Sequence, residues 1–316
     1  MDVVNNRRMH CLAGSACLRW AFVLLLFAPL LPAAAAGVVV VTDEGNTVHQ
    51  RFVTGFEQQI GGFRPALAVR YLSSATAGNA RESLAAASLV VTVGEGIARQ
   101  LREQGVAAPT INALVSKVER EGASNRVSSL YIDQPPLRMV SLVKVALPDV
   151  STLTIGMGES TRHMAVEIEA ACKQLRLVCE TVLMRDSTGI ESALEQAARS
   201  GRVLMVLPDP QVINAASAKA LILGAYMRGI ALVGYSQALV KAGALMAVHS
   251  TPEQLGRDAA NVVREAVAAH QANLPDGRYP GIFSVSVNYQ LARALRLDMR
   301  SEAILEQLVR RAEGNE

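Results

Sequence analysis

The sequence predicts an α/β fold of two similar lobes with a cleft between them, and three observations carry that expectation. Strand and helix signals alternate along the chain, as a βα architecture demands. Apolar runs such as Val203–Leu207 and Ile230–Val233 have no polar interruption, which suits strands buried on both faces of a parallel sheet. The series also breaks at Gln134-Pro135-Pro136 and then begins again, so the chain reads as two copies of one plan.

The first copy opens with the strand Val38–Val41. A helix follows from Thr47 to Ile60, with Phe52, Phe56 and Ile60 on one face and Gly61-Gly62 as its stop. Leu67–Leu72, Leu89–Val93 and Ile111–Val115 read as the next strands, with helices near Arg81–Ala87 and Ile97–Gln104 between them. Ser116–Arg126 is polar and without period, and Val127–Ile132 is a strand ended by the two prolines.

Leu137–Ala146 has helical spacing and opens the second series. Leu153–Gly156 and Leu177–Met184 are its first strands. The helix between them shows Met164, Ile168, Ala171, Cys172 and Leu175 as a stripe, with Ser160 as its expected N-cap. Thr188-Gly189-Ile190-Glu191 has the capping-box pattern before the helix Ile190–Arg199. The strands Val203–Leu207 and Ile230–Val233 enclose a helix from Ala215, and Gly243–His249 is the next strand. Thr251-Pro252-Glu253-Gln254 joins a cap, a proline at the first helical position and a glutamine three residues on, a strong helix start. Asp276-Gly277 is a turn, Phe283–Val287 a last strand, and Tyr289–Leu297 and Glu302–Arg311 are closing helices.

The N-terminus reads as a secretory signal: Arg7, Arg8 and Arg19, then apolar Trp20–Leu31, then small residues to Ala36. Its apolar core falls short of the roughly twenty residues a membrane span needs. Without residues 1–36 the chain is close to neutral, so it lacks the basic excess nucleic acid attracts. The histidines (His10, His49, His163, His249, His270) are far apart, and Cys172 and Cys179 match no zinc spacing, so neither a metal nor any other cofactor is expected. Cys172 and Cys179 read either as a disulfide or as two buried small residues.

In open α/β sheets ligands bind beyond the carboxyl ends of the strands. That rule selects Thr42, Ser160, Asp209, Tyr235 and Ser236 as candidate ligand residues, with Asp209 paired to a cationic group. Gly94 and Glu95 in the turn Gly94-Glu95-Gly96, and Gly158 in Gly156-Met157-Gly158, join them, because glycines there let backbone amides approach a ligand. Gly234-Tyr235-Ser236-Gln237-Ala238 resembles a hydrolase nucleophile elbow. Its downstream partners, Asp258 and His270, fall on or beside one helix, with no strand end to aim the histidine at Ser236, so no enzyme is expected.

A family resemblance rests on an ordered set of segments. These are Leu130-Tyr131-Ile132-Asp133-Gln134-Pro135, Leu147-Pro148, Leu207-Pro208-Asp209, Gly234-Tyr235-Ser236, Ala242-Gly243-Ala244-Leu245 and Leu255-Gly256-Arg257-Asp258-Ala259-Ala260. With the ending Val287-Asn288-Tyr289-Gln290-Leu291-Ala292, the chain resembles the substrate-binding proteins of ABC transporters with the type I periplasmic-binding fold. The branch it is most similar to includes tryptophan- and tyrosine-binding members. The resemblance covers most of residues 127–298. It implies two Rossmann-like lobes joined by three crossing segments, with residues 37–130 and 250–282 in one and 131–249 and 283–316 in the other. It further implies a monomer, exported to the periplasm, that holds a small polar ligand such as an amino acid and serves a permease and ATPase. A membrane signalling protein is the alternative partner. Only 4% of residues are aromatic, so an aromatic ligand is not carried over.

Overall fold

Valine alternation builds the centre of the first sheet. In β1 (Val38–Thr42), Val38 and Val40 face one core and Val39 and Val41 the other, the period of two that a strand covered on both sides requires. The computed structural model describes residues 37–117, 125–269 and 274–314. The expected signal segment, residues 118–124 of the polar stretch, and His270 lie outside the described residues.

After β1 come α1 (Thr47–Ile60), β2 (Val69–Ser73), α2 (Ser74–Ala77), α3 (Arg81–Ala85), β3 (Leu89–Val93), α4 (Glu95–Glu103), β4 (Thr110–Val115) and β5 (Val127–Tyr131). The strands form a parallel sheet in the order β2-β1-β3-β4-β5. The second series runs α5 (Pro136–Ala146), β6 (Thr152–Met157), α6 (Ala165–Gln174), β7 (Val178–Leu183), α7 (Ser187–Arg199), β8 (Val203–Val206), α8 (Ala215–Met227), β9 (Ala231–Gly234), α9 (Gln237–Ala242) and β10 (Met246–His249). Then follow α10 (Pro252–Ala268), β11 (Ser284–Val287), α11 (Tyr289–Ala294) and α12 (Glu302–Ala312). The second sheet has the order β11-β10-β9-β8-β6-β7, with β11 alone antiparallel.

Leu153, Ile155 and Met205 face one core of this sheet, with Met139, Val143, Ile168 and Leu305, while Leu204 and Val206 face the other, with Leu194, Leu221 and Leu239. α10 leaves the second sheet and joins the first, where Leu255, Ala259 and Val263 share a core with Phe52, Phe56 and Ile60 of α1. The two helices touch backbone to backbone. A Cβ on Gly55 would overlap the Glu253 carbonyl, and one on Gly256 would overlap the Phe52 carbonyl. Glycine at both crossing points therefore sets how closely they pack.

Local signals decide where helices begin. Thr251 and Gln254 form the full capping box of α10, and Asn288 caps α11 by accepting from the Leu291 amide. Two expectations are corrected. Asp186, not Thr188, caps α7, accepting the amides of Thr188 and Gly189; the helix starts at Ser187, so Thr188 already lies inside it. Ser160 caps nothing: the chain makes a 3-10 turn over Arg162–Met164 before α6 begins at Ala165. Cys172 and Cys179 form a disulfide that ties α6 to β7. Among the described residues no helix is long and apolar enough to cross a membrane.

Candidate functional site

Chain segments 132–135, 250–251 and 279–283 run between the sheets, and their own polar groups bind them together. Arg138 donates to Gln134 Oε1 at 2.9 Å and to the Pro280 carbonyl at 2.7 Å. Gln134 Nε2 donates to Ser250 Oγ at 3.0 Å, and Ser250 Oγ donates to the Ile282 carbonyl at 2.7 Å. The Arg138 guanidinium is neutralised by Glu313 at 3.0 Å and stacks 4.1 Å from the Phe283 ring centroid. Each crossing strand is thus held by side chains from another. Beside them, Lys117 Nζ at the end of β4 donates to Glu167 Oε1 of α6 at 2.6 Å and to Tyr279 Oη at 2.8 Å.

Against this hinge lies a cavity of about 380 Å3 between the sheets, within the usual range for a small-molecule site. Ile132, Met139, Met164 and Pro208 give it apolar walls, and Asp133, Tyr235 and His249 give it polar ones. Arg51 stands at its rim in a two-point ion pair with Glu253, at 2.5 and 3.0 Å. Asp133 is 8% exposed, and burial pushes its carboxyl above the ordinary aspartate range despite the Lys117 amide donating to Oδ2 at 2.6 Å. Burial lowers the His249 pKa, which favours the neutral ring, and its Nε2 meets Ser286 Oγ at 2.9 Å. The Tyr235 phenol is pushed up by burial and then by the charge of Asp209, so it stays a neutral hydrogen-bond donor. The cavity therefore offers one desolvated acid, one phenol and an apolar wall.

Of the residues selected from sequence, Tyr235 and Ser236 line this cavity. Ser236 Oγ accepts the Leu239 amide as the N-cap of α9. Asp209 does not line it. At 1% exposure its carboxylate is taken by backbone, Oδ2 accepting the Ser160 amide at 3.0 Å and Oδ1 the Gln211 amide at 3.0 Å. Gly158 lies against that carboxylate, where a Cβ would overlap Oδ2, so this glycine makes room for Asp209. Thr42 is 7% exposed with an unpartnered Oγ1. Gly94 has a φ of 98° that favours glycine, and Glu95 Oε1 accepts the Ser116 amide at 3.0 Å. None of Thr42, Gly94, Glu95 and Ser160 contributes to the cavity wall.

The strand-end rule missed Asp133, His249 and Arg51. Asp133 follows β5 and was visible as the polar residue at the first crossing; His249 closes β10 in the same manner. Arg51 gave no signal, because a lone arginine on a helix reads as solvated. Among the described residues no group of His, Cys, Asp and Glu has the geometry to hold a metal ion.

Several solved structures share this architecture. A ligand-free, open substrate-binding protein with adhesive properties from Clostridium difficile is 15% identical with a TM-score of 0.61, over 84% of this chain and 95% of that one. An ABC domain in complex with L-Trp from Streptococcus pneumonia is 15% identical with a TM-score of 0.54, over 86% and 97%. A conserved domain protein from Vibrio cholerae is 17% identical with a TM-score of 0.54, over 86% and 98%. No curated protein matches. The fold is that of the type I periplasmic binding proteins. The family model for ABC transporter substrate binding proteins matches residues 86–305, and this chain, with its two parallel-dominated sheets, belongs to that family.

Proposed function

We propose that this protein closes its lobes on a small organic ligand bearing an amine and an apolar part, an amino acid or related compound, and delivers it to an ABC permease and ATPase. The observation that carries the reading is Asp133, a buried acid in the wall of a cavity that apolar Met139 and Met164 also line. An ammonium group there would restore the charge balance that burial disfavours, and the hydrogen bond would be charge-assisted. Tyr235 would donate to a carboxylate or carbonyl of the same ligand.

On this reading residues 37–130 and 250–282 move as one lobe against residues 131–249 and 283–316, and the crossing segments absorb the backbone change. On this reading binding is the whole activity: among the described residues the hydrogen-bond partner of Ser236 Oγ is the Leu239 amide, and no histidine or carboxylate is bonded to it as a base. The protein acts as an exported periplasmic monomer, which the signal-like N-terminal sequence supports.

Mass spectrometry of molecules released from purified, denatured protein tests this directly. A stoichiometric amine-bearing compound is expected. Protein that releases nothing, and whose melting temperature is unmoved by a panel of amino acids and amines, would overturn the reading.

A further inference from the structure

Apart from Ser217 and Lys219, α8 is built of apolar residues and glycine on all its faces, more than a helix with one side in water needs. Leu221 and Ala225 bury one face against the second sheet's core. A second stripe, Ala215, Ala218, Lys219, Ile222, Leu223 and Tyr226, repeats at helical spacing and faces a groove of about 870 Å3. α9 and α11 form its other wall, with a floor of small residues that includes Ala238, Gly243 and Ala294. Leu223 is 55% exposed and Tyr226 58%. Nothing among the described residues covers this stripe.

Charge says what would. The sequences of α8, α9 and α11 contain no acidic residue. Lys219 lines the groove, while Lys241 and Arg293 lie one turn from the lining residues Ala238 and Gln290. All three side chains are exposed, and none forms an ion pair among the described residues. A concave apolar floor between cationic rims matches the way a groove receives the apolar face of a helix. A flat bilayer surface would leave the concavity empty.

We propose that this groove is a docking site for a partner protein that presents an amphipathic helix with acidic flanks. Tyr235, Ser236 and Ala238 line both this groove and the interlobe cavity, so an occupant would rest on the wall that a closing ligand touches. The proposal does not depend on the ligand assigned to that cavity.

The probe is a synthetic, fluorescein-labelled amphipathic helical peptide with a leucine stripe flanked by glutamates, compared with its lysine-flanked twin. Fluorescence anisotropy with the intact mature protein should show binding of the glutamate peptide only. Lys219→Glu/Lys241→Glu and, separately, Leu223→Glu should weaken it at least about tenfold with unchanged circular dichroism. These positions are exposed, so the variants fold. Equal binding of both peptides, or of neither, overturns the proposal. So does wild-type protein that sediments with phosphatidylglycerol vesicles, or that dimerises, in a manner the same substitutions abolish.

Discussion

Asp209 and Asp133 are both buried acids a few residues past a strand end, one after β8 of the second sheet and one at the crossing out of the first. Their carboxylates are used in opposite ways. Asp209 spends both oxygens on backbone amides, those of Ser160 and Gln211, and Gly158 is shaped around it. Asp133 receives the Lys117 amide on one oxygen and stands in a cavity wall, with burial raising its pKa. A strand-end position brings an acid to the mouth of a sheet, and what differs there is how many backbone amides reach it, one on each oxygen of Asp209 and one on Oδ2 of Asp133.

The largest expected effect breaks the structural member of the pair. Asp209→Ala removes a buried acceptor and leaves the Ser160 and Gln211 amides without their partner. The expected loss is about 3 kcal/mol of folding stability, the upper end for buried charged hydrogen bonds. Urea denaturation measures it, and a variant as stable as the wild type would return Asp209 to the pool of ligand residues.

Asp133→Asn sharpens the other side. The amide still accepts from Lys117, so the fold should persist, while affinity for an amine ligand should fall by about 1.5–3 kcal/mol in titration calorimetry. Stability of the unliganded protein carries a signature as well. A carboxyl raised by burial lends stability that is complete below its unfolded pKa and is lost as pH rises through the folded one. Wild type should therefore weaken over that acidic window and Asp133→Asn should not. Parallel pH profiles would remove the burial account of Asp133.

Ser236→Ala is the smallest change. It deletes the N-cap of α9 and should cost about 1 kcal/mol by thermal or urea denaturation. Any background ester hydrolysis should be the same in both proteins; its disappearance would reopen the enzyme reading.

Apolar runs and turn residues made most of the fold legible. β1, β3, β8 and β9 are buried on both faces, so their sequences are mostly Val and Leu, and Thr251-Pro252-Glu253-Gln254 announced α10 by cap chemistry alone. β2 was placed two residues early, since its partly exposed edge position weakens the pattern. The site was half legible. Tyr235 and Ser236, which line the cavity, follow from where β9 stops; the same rule selects Asp209, which lies outside that cavity with its oxygens on the Ser160 and Gln211 amides, directions that sequence does not show. Arg51 and Glu253 meet across 202 positions of sequence, a pairing that only the contact of α1 with α10 creates.

That contact also orders events in time. α1 ends at Ile60 and α10 begins at Pro252, so a chain growing from its N-terminus completes every strand of the first sheet long before the helix that covers Phe52 and Phe56 exists. Until then the first lobe presents bare apolar surface, and closing its core waits on a long-range encounter, the slow class of folding step. The lobe that is begun first stays open until five of the six strands of the second sheet have been made, and the glycines at positions 55 and 256 are where that late helix must seat.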